Sequence, residues 1–148
     1  MQIEWTFYTS TSAEHIKMLE DEYGVVFPET YKKIVLEFNE GYPNPNCFDL
    51  GREKGKVFES LLSINKEDDI NIFDFSEDVS PYEGNKLIAF GSDPFGNYLC
   101  FDYSETNVAP TIVFYDHEKA YEVESYKAEF VSKNFDDFLS MLYDYDED

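Results

Sequence analysis

Basic residues are scarce in this chain: 11 lysines and arginines stand against 32 acidic residues, which gives a formal net charge of −21. A protein that binds nucleic acid needs a basic stripe to hold the phosphates. The basic patch that the sequence offers is short and runs from Arg52 to Lys56. The charge therefore argues against nucleic acid and anionic membranes as partners, and it fits equally a need for solubility or a basic protein partner.

Cysteines and long apolar runs are also few. Cys47 and Cys100 form no disulfide framework, and two thiols in 148 residues are typical of a reducing compartment. The start of the chain, MQIEWTFYTS, lacks the basic region and the apolar run of a signal peptide. No segment approaches the roughly 18 apolar residues that cross a bilayer. The sequence therefore predicts a cytoplasmic protein that does not associate with membranes.

A complete nucleotide-binding motif is missing as well. The segment 91–96 has the glycine spacing of a phosphate-binding loop, but Asn97 and Tyr98 stand where such a loop has lysine and serine or threonine. Asp93 would repel a phosphate, and the residues after the loop predict a strand rather than a helix. We interpret this segment as a turn between two strands.

Metal-binding and catalytic motifs are incomplete. Asp74, Ser76 and Asp78 alternate like the start of a calcium loop, but the glycine and the glutamate that would complete it are missing. The cysteines and histidines lack the close spacing of zinc sites. Ser92 and His117 occur without the nucleophile-elbow motif of hydrolases. The sequence therefore predicts no cofactor, no metal and no enzymatic activity.

Aromatic residues, in contrast, are abundant. The 14 phenylalanines and 12 tyrosines supply large apolar surfaces for a core. A chain of 148 residues suits one domain and buries roughly 70% of its unfolded surface. We therefore predict a single domain over residues 1–148, with a core at about 13–142 and an acidic tail at 144–148.

Apolar spacing and capping residues predict three helices. The first begins at a capping box at Thr11 and ends at Gly24, the second runs from Pro28 to Phe38, and the third follows Asn134. Apolar runs predict strands at 47–50, 57–64, 87–90, 98–103 and 111–115, with a turn at 51–55. Residues 66–83 fit either a short helix or a loop. Short connections favour antiparallel pairing, so the predicted fold class is α+β, with a central, largely antiparallel sheet flanked by helices.

Four segments, in this order, resemble the motifs of a known family. They are 27–34 with 38–41, then 87–102, 113–118 and 134–139. The first is similar to a helix of the form LP-x-x-Y-K-x-x-L … N-G-G, the second to a hairpin of the form I-G-x-D-x-x-G-D-x-L-x-x-D, and the last to an S-F-x-x-F-L helix. The chain thus resembles the SUKH superfamily, which contains the yeast cell-wall assembly regulator domain and many bacterial immunity proteins.

The resemblance implies an α+β fold and a non-enzymatic role. Bacterial members protect the cell by binding and blocking a toxin, often a nuclease, whose active site is basic because it holds phosphates. An acidic protein suits such a partner. An intracellular regulatory scaffold that binds other proteins is the alternative. The predicted partner contacts are Glu67, Asp68, Asp69, Asp74, Glu77 and Asp78, with Asp93 and Tyr103 as further contributors.

Overall fold

A five-stranded antiparallel sheet forms the centre of the protein and confirms the α+β prediction. The computed structural model describes residues 3–79, 86–123 and 125–145. In these ranges the elements are β1 (Glu4–Thr6), α1 (Ala13–Tyr23), α2 (Glu29–Phe38), β2 (Tyr42–Asn44), β3 (Cys47–Leu50), β4 (Glu53–Val57), β5 (Ser60–Leu61), α3 (Ile72–Asp78), β6 (Leu87–Ser92), β7 (Tyr98–Asp102), β8 (Thr111–Tyr115), α4 (His117–Glu122), β9 (Glu129–Ser132) and α5 (Phe135–Met141). The central sheet has the order β5-β6-β7-β8-β9, and β1 pairs with β2 and β3 with β4 in two smaller sheets.

Aromatic rings fill the space between one face of the central sheet and the helices α2 and α5. Phe101 of β7 stacks on Phe90 of β6 at 4.4 Å between ring centroids. Tyr31 of α2 and Phe135 of α5 meet the same ring edge-on, at 5.0 and 5.8 Å. All four side chains are buried. This cluster of aromatic residues, which we call the aromatic core, joins the sheet to both helices.

Helix α3 lies against the opposite face of the sheet. The Ala89 N–H of β6 donates a hydrogen bond to the Ser76 hydroxyl at 2.9 Å, and the rings of Phe75 and Tyr98 are 5.2 Å apart. Cys100 points to this face and is fully buried, as a small core residue in the middle of a strand. The central strands are therefore covered on both faces, as the continuous apolar run of β6 predicts.

The predicted helices are present, with one correction at a cap. Ser12, not Thr11, caps α1 by accepting the His15 N–H, and the Thr11 hydroxyl instead donates to the Asn65 side chain at 2.7 Å. Gly24 ends this helix in the left-handed conformation, with a φ of 66° that glycine adopts freely. In the described ranges the longest helix, α1, has 11 residues, and none of the helices there is long and apolar enough to cross a membrane.

The strand predicted at 57–64 is divided, which corrects the prediction. Its first residue belongs to β4, which pairs with β3, while β5 turns away to pair with β6. The predicted turn at 51–55 shrinks accordingly, because β4 already begins at Glu53. Segment 66–83, which fitted a helix or a loop, contains α3, and Asn71 caps this helix.

Two parts of the chain close the fold without a sequence signal of their own. Strand β1 pairs with the proline-containing β2, and the pair lies beside α2 because the Thr9 N–H donates to the Asn39 carbonyl at 2.7 Å. At the other end, Tyr143 pairs with Cys47 through the main chain. Asp144 and Tyr145 of the predicted acidic tail are exposed, and residues 146–148 lie outside the described residues.

Candidate protein-binding surface

The exposed acids among the predicted partner contacts lie on α3 and on the segment that precedes it. Glu67 and Asp69 come before the helix, and Asp74 and Glu77 lie three residues apart on it, so they share one side. Asn71 accepts the Asp74 N–H at 2.9 Å and so fixes where the helix begins. All four residues are exposed, and the Asp74 carboxylate also accepts a hydrogen bond of 3.0 Å from the Asn71 side-chain amide.

Helix α1 adds an acid that the sequence analysis missed. Tyr23, the last residue of α1, stacks on Phe73 of α3 at 5.9 Å. Partial burial raises the pKa of the Tyr23 hydroxyl, its hydrogen bond to Ser76 opposes that rise, and the charges of Glu22, Glu77 and Asp74 add to it. The charges of these three carboxylates therefore all act on one hydroxyl at the end of α1. We call the set Glu22, Glu67, Asp69, Asp74 and Glu77 the α1–α3 acidic surface.

Lysine compensates this negative charge only in part. Lys66 Nζ lies 3.6 Å from the Glu22 carboxylate and 4.5 Å from the centre of the Phe73 ring. Both members of this pair are exposed, and such pairs contribute about 0–1 kcal/mol to stability. The other four acids of the surface form no ion pair with a lysine, arginine or histidine in the part of the chain that the structure describes.

An open cleft of about 300 Å³ runs between α1 and the segment that leads into α3. Glu22, Lys66 and Phe73 line it, and the same residues line a second cleft of similar size that continues to Glu77 and Lys86. The two clefts thus combine an aromatic floor with charged rims. This arrangement suits a long basic side chain, which buries its aliphatic stem and keeps its charged end near carboxylates.

Asp68 supports this surface from below. Its carboxylate accepts a 2.6 Å hydrogen bond from the Ser63 hydroxyl, and its main-chain carbonyl accepts one of 2.7 Å from the Asn71 amide. The side chain is half-buried. These contacts hold the loop before α3 against the residues that follow β5. Asp68 therefore stabilises this loop, a role that the sequence did not indicate.

Asp93 is engaged inside the β6–β7 turn. Its side chain is 6% exposed and accepts the N–H groups of Phe95 and Asn97 at 2.9 and 2.8 Å, together with the Asn97 amide. The N–H groups that a phosphate would need as hydrogen-bond donors thus already donate to the Asp93 carboxylate. This geometry confirms a turn between two strands, but the turn is shorter than the predicted 91–96 because Gly91 and Ser92 still belong to β6. The Asp93 side chain is buried within it.

The two remaining predicted contacts are Tyr103 and Asp78. Tyr103 is 2% exposed and its hydroxyl donates to the Val26 carbonyl at 2.8 Å, so it joins the β7 end to the loop between α1 and α2. Asp78 is the last residue of α3, but its side chain lies outside the described part of the structure.

The residues considered for metal binding or catalysis contact other side chains or lie in the core. His117 Nδ1 lies 2.7 Å from the Asn97 amide oxygen, whereas Ser92 lies beside Ser60 at 3.4 Å. Cys47 and Cys100 are buried, and burial raises the pKa of both thiols. Within residues 3–79, 86–123 and 125–145, no group of three or more histidines, cysteines or acids is placed to hold a metal ion.

The order of the elements and the packed hairpin agree with a family comparison. The chain matches the family model SUKH_6, described as SMI1-KNR4 cell-wall, over residues 13–139. The chain belongs to the SUKH family. SUKH proteins are known as immunity and regulatory proteins rather than as enzymes, and membership is consistent with toxin immunity or with a function like that of SMI1-KNR4 proteins. No curated protein matches the chain.

The SUKH match contains the whole α1–α3 acidic surface and leaves two parts of the chain outside. It begins at Ala13, after β1, and ends two residues before the end of α5. The N-terminal strand and the residues around Tyr143 therefore extend the SUKH domain of this chain.

Proposed function

We propose that this protein is a cytoplasmic immunity protein that neutralises a cognate basic toxin by binding it through the α1–α3 acidic surface. The observation that carries the proposal is a group of four exposed acids on and before α3 of a SUKH-family chain, none of which forms an ion pair with another described residue. One of them, Glu77, lines the same cleft as Glu22. With a formal net charge of −21, the whole molecule attracts a basic partner.

A nuclease is the toxin class that this surface suits best. A nuclease holds phosphates with lysine and arginine, and an acidic surface can occupy the same side chains and exclude the substrate. Opposite charges steer the two proteins together and raise the association rate, and this gain weakens as salt screens the charges. The mechanism requires no catalysis by the immunity protein, because the bound protein itself fills the active site of the toxin and keeps the substrate out.

Co-expression is the direct test of the proposed function. Cells that produce the toxin encoded next to this gene are expected to regain growth when they also produce this protein. A triple variant with Glu67→Lys, Asp69→Lys and Glu77→Lys is expected to protect less well. A matched variant with Glu122→Lys, Asp136→Lys and Asp144→Lys changes the net charge equally at exposed positions on α4, on α5 and after α5. If both variants protect as well as the wild type, the proposed surface is wrong. If the wild type itself does not protect, the proposed function is wrong.

The description SMI1-KNR4 cell-wall supports a second candidate, a regulatory scaffold that binds other intracellular proteins. Genome context separates the two. A toxin gene immediately upstream favours immunity, and a locus without one favours the scaffold.

A further inference from the structure

A group of aromatic side chains reaches the surface where the N-terminal strand meets α2. Phe7 is 84% exposed, Tyr8 51% and Tyr42 43%. The ring of Phe7 meets Tyr42 edge-on at 5.9 Å, and Tyr8 meets Phe38 edge-on at 5.0 Å. We call Phe7, Tyr8 and Tyr42 the N-terminal aromatic patch.

The patch has a rigid base. Phe38 stacks on Trp5 at 6.3 Å, and Trp5 in turn meets the fully buried Phe58 edge-on at 6.2 Å. A continuous series of rings therefore leads from the interior to Tyr8. Since these rings are already ordered, a partner that binds them loses little side-chain entropy from this side of the interface.

The backbone holds Phe7 outward in an unfavourable conformation. In the described residues two non-glycine residues have positive φ, Phe7 at 55° and Glu40 at 66°. Phe7 belongs to the patch, and Glu40 lies two residues before Tyr42. Bulky residues rarely adopt this region. The chain is held on both sides of Phe7, by the β1–β2 pairing and by the Thr9 hydroxyl, which donates to the Glu40 carboxylate at 2.8 Å. A strained, exposed ring that the surrounding contacts keep in place is typical of a recognition site.

Three acidic residues lie within three positions in sequence of these rings or of Phe38. Glu4 is exposed and lies on β1, two residues before Thr6. Thr6 is the residue that faces Tyr42 in the β1–β2 pair. Glu40 contacts Thr9, and the exposed Glu37 precedes Phe38 on α2. None of these three carboxylates forms an ion pair within the part of the chain that the structure describes.

We propose that the N-terminal aromatic patch is a second docking site, and that it binds arginine side chains on a basic protein. Arginine fits both features, because its planar guanidinium stacks on aromatic rings and pairs with carboxylates at the same time. Lysine is a more strongly hydrated point charge and gains less from the rings. The inference rests on the proposed function in taking the partner to be a basic protein.

The location of the patch gives it a distinct role from the α1–α3 acidic surface. Two residues of the patch, Phe7 and Tyr8, precede the SUKH match, and the third, Tyr42 of β2, lies within the match. The acidic surface supplies charge, which steers many basic partners alike. The aromatic patch adds shape and favours arginine over lysine, so it contributes selectivity.

Peptide titration of the full chain tests this site. The ¹⁵N-labelled protein is titrated with a peptide of nine arginines and, separately, with one of nine lysines. We expect the amides of residues 4–9 and 38–42 to shift, with the arginine peptide bound about fivefold more tightly than the lysine peptide. Phe7→Gly removes the ring and permits the positive φ, so it is expected to reduce arginine-peptide affinity about fivefold with a melting temperature no lower than that of the wild type.

Phe95→Ala provides the matched control, because Phe95 is a 76% exposed ring in the β6–β7 turn. It is expected to leave the affinity unchanged. Shifts confined to residues 67–77, equal affinity for the two peptides, or full affinity in Phe7→Gly would each overturn the proposal. The peptides replace the toxin in this experiment, so failure here is distinguishable from failure of the co-expression test.

Discussion

The aromatic core and the N-terminal aromatic patch use the same residue types in opposite environments. Phe101 is fully buried among Phe90, Tyr31 and Phe135, whereas Phe7 is 84% exposed and meets Tyr42. A buried ring stabilises the fold through removal of apolar surface from water and through packing. An exposed ring contributes little to folding and is available to a partner. The aromatic residues of this chain therefore fall into buried rings that stabilise the fold and exposed rings that we propose bind a partner.

The largest contrast is expected between Phe101→Ala and Phe7→Gly. Removal of the Phe101 ring leaves a cavity in the aromatic core and is expected to lower the free energy of unfolding by about 3–5 kcal/mol. Phe7→Gly removes an equal ring from the surface and is expected to change it by less than about 1 kcal/mol. Urea denaturation measures both. Similar losses in the two variants would mean that Phe7 belongs to the core.

Alkaline pH is expected to unfold the protein through its buried tyrosines. Burial is the main cause that raises the pKa of Tyr126 to about 12, and it also raises the pKa values of Tyr31 and Tyr103. In the unfolded chain these hydroxyls titrate near pH 10, at about the ordinary tyrosine pKa. The folded state holds the protons more tightly, so this stability is complete below about pH 10 and is lost as the pH rises through the folded pKa values.

Circular dichroism and absorbance at the tyrosinate band, followed together from pH 9 to pH 12.5, measure this transition. We expect the buried tyrosines to ionise as the secondary structure is lost. Ionisation of every tyrosine with the secondary structure intact would contradict the buried positions of these three residues.

Tyr31→Phe is expected to stabilise the protein. The Tyr31 hydroxyl is fully buried and has no hydrogen-bond partner among the described residues. Removal of an unsatisfied buried hydroxyl avoids its desolvation penalty, and the ring contacts with Phe101 and Phe135 remain. We expect the free energy of unfolding to rise by about 1–3 kcal/mol in urea denaturation. A clear loss of stability would show that the hydroxyl has a partner after all.

The sequence predicts the elements whose pattern is long enough to be periodic. Helices α1, α2 and α5 and strands β6, β7 and β8 are all recognised, because each has an apolar face or run that local spacing reveals. Strands β1 and β2 have three residues each and include Pro43, and α4 has six residues. Such short elements form because tertiary neighbours hold them, and the local sequence carries no equivalent signal.

The candidate surface was predictable in part for the same physical reason. Runs of acids in a loop are expected to be solvated, and Glu67 and Asp69 are exposed. Tyr103 points inward because its partner, the Val26 carbonyl, lies 77 residues away in sequence, and no local pattern indicates that contact. Asp93 points inward because it accepts N–H groups two and four residues ahead in its own turn, a local role that aspartate commonly takes. Glu22 joins the surface only because α1 ends against α3, and no local pattern indicates that contact.

The association rate constant with the toxin identified by co-expression tests the proposed docking most directly. It is to be measured at low and high salt for the wild type, for the Glu67→Lys, Asp69→Lys, Glu77→Lys variant and for the Glu122→Lys, Asp136→Lys, Asp144→Lys control. We expect the first variant to associate about tenfold more slowly at low salt, with the difference narrowing at high salt, and the control to remain close to the wild type. Equal association rates for the two triple variants at low salt would contradict binding through the α1–α3 acidic surface.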